Sequence, residues 1–357
     1  MPFMPKSMHK LVKIKIATIA LIMSANSVKS QTATLGAELN NFMNDAIFFT
    51  DKYITPATDA AVYQAASSWV NTPKKAKLWD FTLGIHGNAF VVPKSDRNFA
   101  ISNNDFSFFK IENATSGNTP SALGNNQYLT LVGQLTTNDL SNPIEKTDLT
   151  LKTPEGINME TIIYPYAQVS LGLLYGTEII AKYSPKTQLK NVEYQVFGMG
   201  LKHNLSQYFK NLEKNNFHLS TLFAYANEDI TVAFLDVKTS YGDLGLNALN
   251  SKIDTWQLQF NGSKEFKKLE LSAGLIMNTS NFDYKLEGKN NKISVLDGVK
   301  EELNKRLTTI YKTKTNLIGE IAARYKISQF YIQTSLAFGK FINSNLSIQY
   351  QFNKAKK

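Results

Sequence analysis

Cysteine is absent from all 357 residues, and histidine occurs only four times. Without a thiol the chain has no disulfide bond, no cysteine nucleophile and no cysteine–zinc site. His9 lies in the first 30 residues, and His86, His203 and His218 have neither a second histidine nor a carboxylate pair at metal-ligand spacing. We therefore predict no metal site and no cofactor.

Long apolar runs are also lacking, because no stretch of about 18 apolar residues follows the first 30 residues. This argues against a helical membrane protein. Residues 1–30 instead resemble a secretory signal peptide, with lysines at the start, an apolar core from Ile14 to Met23 and small residues for cleavage at Ala25–Ser27 or Val28–Ser30. The alternative, a transmembrane anchor, needs a longer apolar core.

Excess positive charge is concentrated in the predicted signal peptide, residues 1–30. It contains five lysines and no acidic residue, so its removal lowers the formal net charge from +10 to +5. Nucleic-acid binding depends on many contacts between basic side chains and phosphates. We therefore predict no nucleic-acid partner.

A two-residue alternation dominates the rest of the chain and is clearest at its end. In segment 345–352, Leu346, Ile348, Tyr350 and Phe352 alternate with polar residues, which places the two sets on opposite faces of a strand. An apolar outer face, a polar inner face and a closing aromatic are typical of a transmembrane β-barrel. Similar strand patterns occur in nine other segments: 79–92, 161–174, 176–185, 191–203, 216–227, 253–262, 267–283, 313–326 and 328–340.

These segments predict an all-β fold, a transmembrane antiparallel up-and-down β-barrel of about 12–14 strands with an N-terminal helix. The additional strands are expected near 63–70, 106–111 and 128–134. Short connections at 263–266 and 327–329 alternate with long ones at 228–252 and 284–312, as in barrels with short periplasmic turns and long outer loops. The last loop contains VLDGVKEELNKRL, which predicts a short helix. The alternative is a soluble β-sandwich, which also alternates.

The N-terminal helix is predicted over 35–54, where apolar residues recur at helical spacing, and Thr55-Pro56 is expected to end it. It is interpreted either as a plug or periplasmic helix that closes the barrel mouth, or as an amphipathic helix on the outside of the barrel. The predicted organisation is therefore a signal peptide at 1–30, a helical plug or periplasmic segment at 31–60 and the barrel at 61–357.

The alternation also predicts which side chains face the lumen and which meet the membrane interface. A charged constriction that tunes selectivity is one interpretation of the lumen set, and ion pairs that fill a narrow or plugged barrel are the other. The lumen candidates are Glu178, Lys182, Gln257, Gln259, Glu320 and Arg324, and the interface aromatics are Trp79, Trp256, Tyr350 and Phe352.

Catalytic motifs are missing from the chain. His203, Asn204 and Ser206 form the only polar cluster that suggests a serine hydrolase, and the preferred interpretation is a strand–turn boundary with polar turn residues. We predict no catalytic residues and no enzyme activity.

Segments 44–93, 151–185 and 196–209 resemble an uncharacterised outer-membrane or envelope protein family of the Bacteroidota, a domain of unknown function. The architecture is more loosely similar to the long-chain fatty-acid transporter barrels. The resemblance implies the outer membrane of a Gram-negative bacterium, with contacts to outer-membrane lipid and to the barrel-assembly machinery. The first functional hypothesis is a channel or transporter for small or hydrophobic solutes. The alternatives are a structural or surface-interaction barrel without transport, and a membrane enzyme.

Overall fold

The computed structural model describes residues 32–139, 142–233, 238–239, 242–243, 247–288 and 295–352. The predicted signal peptide and the tail after Phe352 lie outside these residues. The helices are α1 (Thr32–Ala66), α2 (Lys210–Lys214) and α3 (Val295–Leu307), and the strands are β1 (Phe81–Val91), β2 (Asn98–Ser102), β3 (Lys110–Ile111), β4 (Ser116–Pro120), β5 (Thr130–Asp139), β6 (Asn142–Lys152), β7 (Thr161–Gly172), β8 (Thr177–Leu189), β9 (Val192–Asn204), β10 (Phe217–Ala233), β11 (Lys238–Thr239), β12 (Gly242–Asp243), β13 (Ala248–Phe266), β14 (Leu269–Glu287), β15 (Lys312–Ile327), β16 (Phe330–Phe338) and β17 (Ile342–Phe352).

Ten of these strands close into an antiparallel barrel in the order β1-β7-β8-β9-β10-β13-β14-β15-β16-β17. The last strand pairs with the first, from Phe81 opposite Phe352 to Phe90 opposite Asn343. Each barrel strand lies beside its nearest barrel strand in sequence, which confirms the up-and-down β-barrel. Closure removes the free sheet edges that lipid cannot hydrogen-bond.

The predicted count of 12–14 strands is wrong, because the extra segments do not join the wall. Residues 63–70 belong to the end of α1 and the turn after it. Between β1 and β7, β2 pairs with β4, and β5 pairs with β3 and β6, in two small separate sheets. A strand prediction from alternation does not specify the partner strand, and these strands pair with one another instead.

Outward side chains form an apolar belt around the turn end of the barrel, the end where β1 begins and β17 finishes. On β13 the outer face carries Trp256, Leu258 and Phe260, then Lys264 and Phe266 next to the turn end. On the loop-end side of Trp256 the outer face changes to Asp254. The 11 residues from Trp256 to Phe266 match the roughly 9–11 residues that a tilted strand needs to cross a bilayer. Beyond the belt, β10, β13 and β14 continue toward the opposite, loop end.

None of the helices in the described residues combines the length and the apolar character that a membrane-spanning helix requires.

Helix α1 runs from the loop end into the barrel, and it continues through Pro56 to Ala66. The prediction that Thr55-Pro56 ends this helix is therefore wrong. Proline removes one helical hydrogen bond, but packing supplies most of the stability of a helix in a protein. Tyr53, Ile54 and Ala57 around the proline are all buried against neighbouring elements. Helix α3 matches the helix predicted in the long loop.

The closing strand yields a first prediction. The ring of Phe352 lies 5.3 Å from that of Phe81 on β1 and 4.5 Å from that of Tyr350, measured between centroids. Changing Phe352 to Asp should abolish the heat-modifiable folded band on cold gels, because a carboxylate replaces an aromatic at the barrel seam. Deleting residues 353–357 is the matched control and should leave the band intact. A normal folded band from the Asp variant would show that closure does not need this ring.

Candidate functional site

The lumen is filled by the inner segment, which we define as residues 60–73, the end of α1 and the turn that follows it. Ala60 to Val70 are all buried. Side chains from the inner faces of β7, β8, β13, β15 and β17 donate or accept hydrogen bonds to it. Because these strands lie around the whole barrel, the inner segment sits within the lumen rather than against one side of it.

Lys182 on β8 is the main cation at this site, and its side chain is fully buried. Its Nζ donates to the carbonyl oxygens of Ala65 at 3.1 Å and Ser67 at 2.7 Å. It also lies 4.9 Å from the centroid of the Trp69 ring. The carbonyls at the end of a helix carry partial negative charge, so the ammonium caps α1 from the barrel wall.

Glu320 on β15 binds the inner segment one residue further along. Its carboxylate accepts a 2.6 Å hydrogen bond from the backbone N–H of Ser68. Ser68 has a φ of +59°, the left-handed conformation that often ends helices. The Ser68 and Ser335 hydroxyl oxygens are 2.7 Å apart. The helix end therefore has charged partners for both its carbonyl groups and an amide.

Trp69 occupies a space that two glycines of β9 leave open. A Cβ atom at Gly198 would lie 2.6 Å from the Trp69 ring, and one at Gly200 would lie 3.4 Å from it. The indole Nε1 donates to the carbonyl oxygen of Ala65 at 2.7 Å, and Gln168 donates to the Trp69 carbonyl at 2.9 Å. A side chain at Gly198 would therefore displace the ring, whereas a Cβ atom at Gly200 would make only an ordinary van der Waals contact with it.

At the turn end a second group of polar contacts holds the chain as it leaves the lumen. Lys202 forms an ion pair with Glu178 and donates to the Thr72 carbonyl oxygen at 2.7 Å. The Thr72 hydroxyl donates to Glu270 at 2.7 Å. Glu270 also lies 3.8 Å from a terminal nitrogen of Arg324. Charged groups of the wall are thus paired at this end of the inner segment.

At the loop end Asp59 connects α1 to strand β15 and to the connection between β16 and β17. It forms ion pairs with Lys314 on β15 and with Lys340, whose Nζ lies 2.9 Å from a carboxylate oxygen of Asp59. Partial burial tends to lower the pKa of Lys340. The hydrogen bond and charge of Asp59, together with the charge of Asp96, outweigh this and leave that pKa above its ordinary value.

The six lumen candidates all have buried side chains on the inner face of the wall. Besides Lys182 and Glu320, Gln257 donates to the Ala66 carbonyl oxygen at 3.1 Å, and Gln259 lies 3.5 Å from Glu320. Glu178 and Arg324 lie nearer the turn end. The candidates therefore gather around the inner segment, which is the arrangement expected of a plugged barrel.

Of the interface aromatics, Trp256, Tyr350 and Phe352 lie on the outer face of the wall. Trp79 precedes β1, with a φ of +68°, and its side chain is about half exposed near the turn end. Sequence reasoning missed Trp69, Ser68 and Lys202 as lumen residues. The one available signal was the pair of glycines at inward positions of β9, which leaves room for a bulky group.

The His203–Ser206 cluster does not assemble as a catalytic pair. The Ser206 hydroxyl accepts a 2.9 Å hydrogen bond from the amide of Asn204 and is buried. The ring nitrogens of His203 lie 2.9 Å from the Thr177 hydroxyl and 3.0 Å from that of Tyr208. Both residues therefore form a polar strand–turn boundary.

Among solved structures the chain is similar to several outer-membrane proteins. The translocator domain of the autotransporter NalP from Neisseria meningitidis is 8% identical in sequence, and the match has a TM-score of 0.33. It covers 84% of this chain and 95% of that chain. The COG4313 outer membrane channel from Pseudomonas putida F1 is 12% identical, with 79% of this chain and 99% of that chain covered and a TM-score of 0.27. The outer membrane protease OmpT from Escherichia coli is 10% identical, with 80% of this chain and 100% of that chain covered and a TM-score of 0.27. At these scores the similarities carry no argument about function.

The sequence itself matches one protein family. No curated protein is significantly similar to the chain. Residues 8–352 match a family described as "Family of unknown function (DUF6588)". Because this match covers almost the whole sequence, the chain belongs to the DUF6588 family of unknown function.

Proposed function

We propose that this protein is an outer-membrane β-barrel that acts as a gated channel or transporter for small or hydrophobic solutes, closed at rest by the inner segment. The observation that carries the proposal is the polar way in which the wall holds that segment. Lys182, Glu320 and Gln257 all bind its main chain, and the Lys182 ammonium also lies over the Trp69 ring. Water can replace such hydrogen bonds when the segment leaves the lumen.

The location in a membrane rests on the apolar belt and its aromatic borders. Tyr225 and Trp256 lie together at the edge of the belt nearer the loop end. The Tyr225 hydroxyl donates to Asp254, where the polar surface begins. At the edge nearer the turn end lie Phe330, Tyr350 and Phe352. Aromatic girdles of this kind mark the two interfaces of outer-membrane barrels. We place the turn end in the periplasm, with lipid and the barrel-assembly machinery as partners.

The size of the barrel supports a pore. Side chains fill the interior of eight-stranded barrels, and the diameter grows with the number of strands. Here ten strands enclose a helix end, and glycines at Gly198 and Gly200 widen the space further. Movement of the inner segment would leave a lumen whose lining combines charged and amide side chains with apolar ones such as Ile180, Leu222 and Ile276.

A disulfide lock tests this proposal without interference from other thiols, since the chain has no cysteine. The hydroxyl oxygens of Ser68 and Ser335 are 2.7 Å apart, so the double variant Ser68→Cys, Ser335→Cys should form a disulfide between the inner segment and the wall. In planar bilayers under applied voltage, the reduced variant should show channel openings. Oxidation should abolish them, and reduction should restore them.

The single variant Ser335→Cys is the matched control, and oxidant should leave its openings unchanged. If the reduced double variant and the wild type are both silent at all voltages, the proposed channel is wrong. Openings that persist in the oxidised, fully cross-linked protein would show that solutes pass without movement of the inner segment.

A surface-interaction barrel without transport is the second candidate. The observation in its favour is the large structure at the loop end, where β10, β13 and β14 extend beyond the belt and α1, α3 and two small sheets lie nearby. A silent barrel in the bilayer experiment would favour this candidate.

A further inference from the structure

A cavity of about 650 Å³ lies at the loop end of the barrel, within the 300–1,000 Å³ typical of small-molecule sites. One face of α1 forms its floor, since residues 42, 45, 46, 49, 50 and 53 repeat at helical spacing along the lining. The walls come from the small sheet of β5 and β6, the ends of β13 and β14, and α3. Its main apolar side chains are Phe42, Phe49, Phe109, Leu131, Leu249 and Leu303.

Two buried polar residues of the lining, Asp45 and Tyr53, have hydrogen-bond partners, whereas the buried Oδ1 of Asn191 has none among the described residues. Asp45 is buried, and its carboxylate accepts hydrogen bonds of 2.7–2.9 Å from the backbone N–H groups of Ser107, Phe108 and Phe109. The hydroxyl of Tyr53 donates to the Glu155 carbonyl oxygen at 2.7 Å, and burial raises the pKa of this tyrosine, which keeps it neutral. These groups fix the shape of the cavity and leave its interior apolar.

Charges at the lining also cancel. Lys152 and Lys190 are exposed at the rim and are matched in number by Asp45 and Glu155. The ammonium of Lys152 lies 4.6 Å from the centroid of the Tyr128 ring. A ligand with a net charge would therefore gain no excess of opposite charge, and it would lose hydration on entering an apolar space.

We propose that this cavity is a binding site for a neutral, predominantly apolar small molecule. The inference deepens the proposed function by assigning the site where a hydrophobic solute binds at the loop end before transport. Because α1 forms the floor and continues into the inner segment, the occupied site is in direct contact with the element that closes the lumen.

Two fluorescent probes with the same aromatic body test the site and its charge preference. N-phenylnaphthylamine is neutral, and anilinonaphthalene sulfonate is its anionic counterpart. Binding is measured with the full-length mature protein in amphipol, so that detergent does not occupy the cavity. The neutral probe should bind at a single site with at least about tenfold higher affinity than the sulfonate, because the charged group loses hydration without a matching cation.

Filling the cavity should remove this binding. Ala46 and Thr50 line the floor. Either Ala46→Trp or Thr50→Trp should lower the binding affinity for the neutral probe by about tenfold or more. Ala37→Trp, an exposed position on the same helix, is the matched control and should bind as the wild type does. Two alternative filling variants are used because one of them could fail to fold. The heat-modifiable band on cold gels reports for each variant whether the barrel has folded.

Equal binding by the wild type and by both folded filling variants would overturn the site, and so would absence of binding to the wild type. Tighter binding of the sulfonate would overturn the ligand class. The Ser68–Ser335 lock lies in the lumen and outside the cavity lining, so the oxidised double variant should still bind the neutral probe. Binding without any channel activity would therefore reject the proposed function and leave this site standing.

Discussion

Replacing Lys182 with Met should destabilise the folded barrel by about 2–4 kcal/mol, because two buried carbonyl oxygens lose a hydrogen-bond donor at a cost of about 1–3 kcal/mol each. Lys182 is fully buried, and its Nζ donates to two main-chain carbonyl oxygens of the inner segment. The methionine side chain fills a similar volume, so the loss reflects charge and hydrogen bonding more than packing. The change in the free energy of unfolding would be measured by urea titration of the protein in amphipol, with the heat-modifiable band as the readout of the folded fraction.

If the barrel is the channel proposed above, the same variant should increase its activity, because Lys182 also holds the carbonyl groups of Ala65 and Ser67. Loss of these bonds frees the end of α1, and openings in planar bilayers should become more frequent. Lys186→Met, on the same strand but exposed, is the matched control and should change neither quantity. Wild-type stability and wild-type openings in the Lys182 variant would show that the cation does not hold the inner segment.

A companion variant separates charge from hydrogen bonding. If unpaired carboxylates cause the loss, the double variant Lys182→Met, Glu228→Gln should recover part of the stability. Glu228 is buried and has a 3.1 Å hydrogen bond from the Tyr194 hydroxyl, which the amide can also accept. Channel openings should remain frequent in the double variant, since its helix end still lacks the ammonium.

The second large effect is expected on the outer face of β14. Leu275 is half exposed in the middle of the apolar belt, and an arginine there should cost about 2–4 kcal/mol, the range for the bilayer midplane. Leu271 lies only two residues from the turn end of the same strand and should be less sensitive. Folding into lipid vesicles, followed by cold gels, would compare the folded fractions.

Ser272→Arg is the matched control on the same strand. Ser272 is only partly buried and points inward, opposite Ser263 of β13 and Ala322 of β15. A guanidinium there can meet the polar lumen rather than hydrocarbon, so folding should be nearly normal. Equal damage from Leu275→Arg and Ser272→Arg would contradict a belt that faces lipid and a lumen that tolerates charge.

All ten wall strands could be predicted from the sequence, because their signal is local. Alternation over eight or more residues fixes which side chains share a face, as on β13, where Trp256, Leu258 and Phe260 face outward. The same pattern placed Lys182 and Glu320 on the inner face. It also indicated the helix Val295–Leu307 within a long connection. Each of these predictions depends on neighbours only a few residues apart.

The small strands between β1 and β7 show where local reasoning stops. Residues 128–134 overlap β5, which is indeed a strand, yet β5 pairs with β3 and β6 and not with the wall. Alternation reports that a segment can be a strand but not which partner it has. Part of the excess over ten strands in the predicted barrel follows from that gap, and the rest comes from residues 63–70, which form the end of α1 and the turn after it.

The course of α1 was decided by tertiary structure. Pro56 is a local signal to stop, but burial of Tyr53, Ile54 and Ala57 keeps the helix intact. The partners of the helix end lie far away in sequence: the bond from Ser68 to Glu320 joins residues 252 apart. The sequence by itself determined the strands, their faces and the apolar belt. Only the tertiary structure decided what fills the lumen, because those contacts form between segments whose pairing no local pattern encodes.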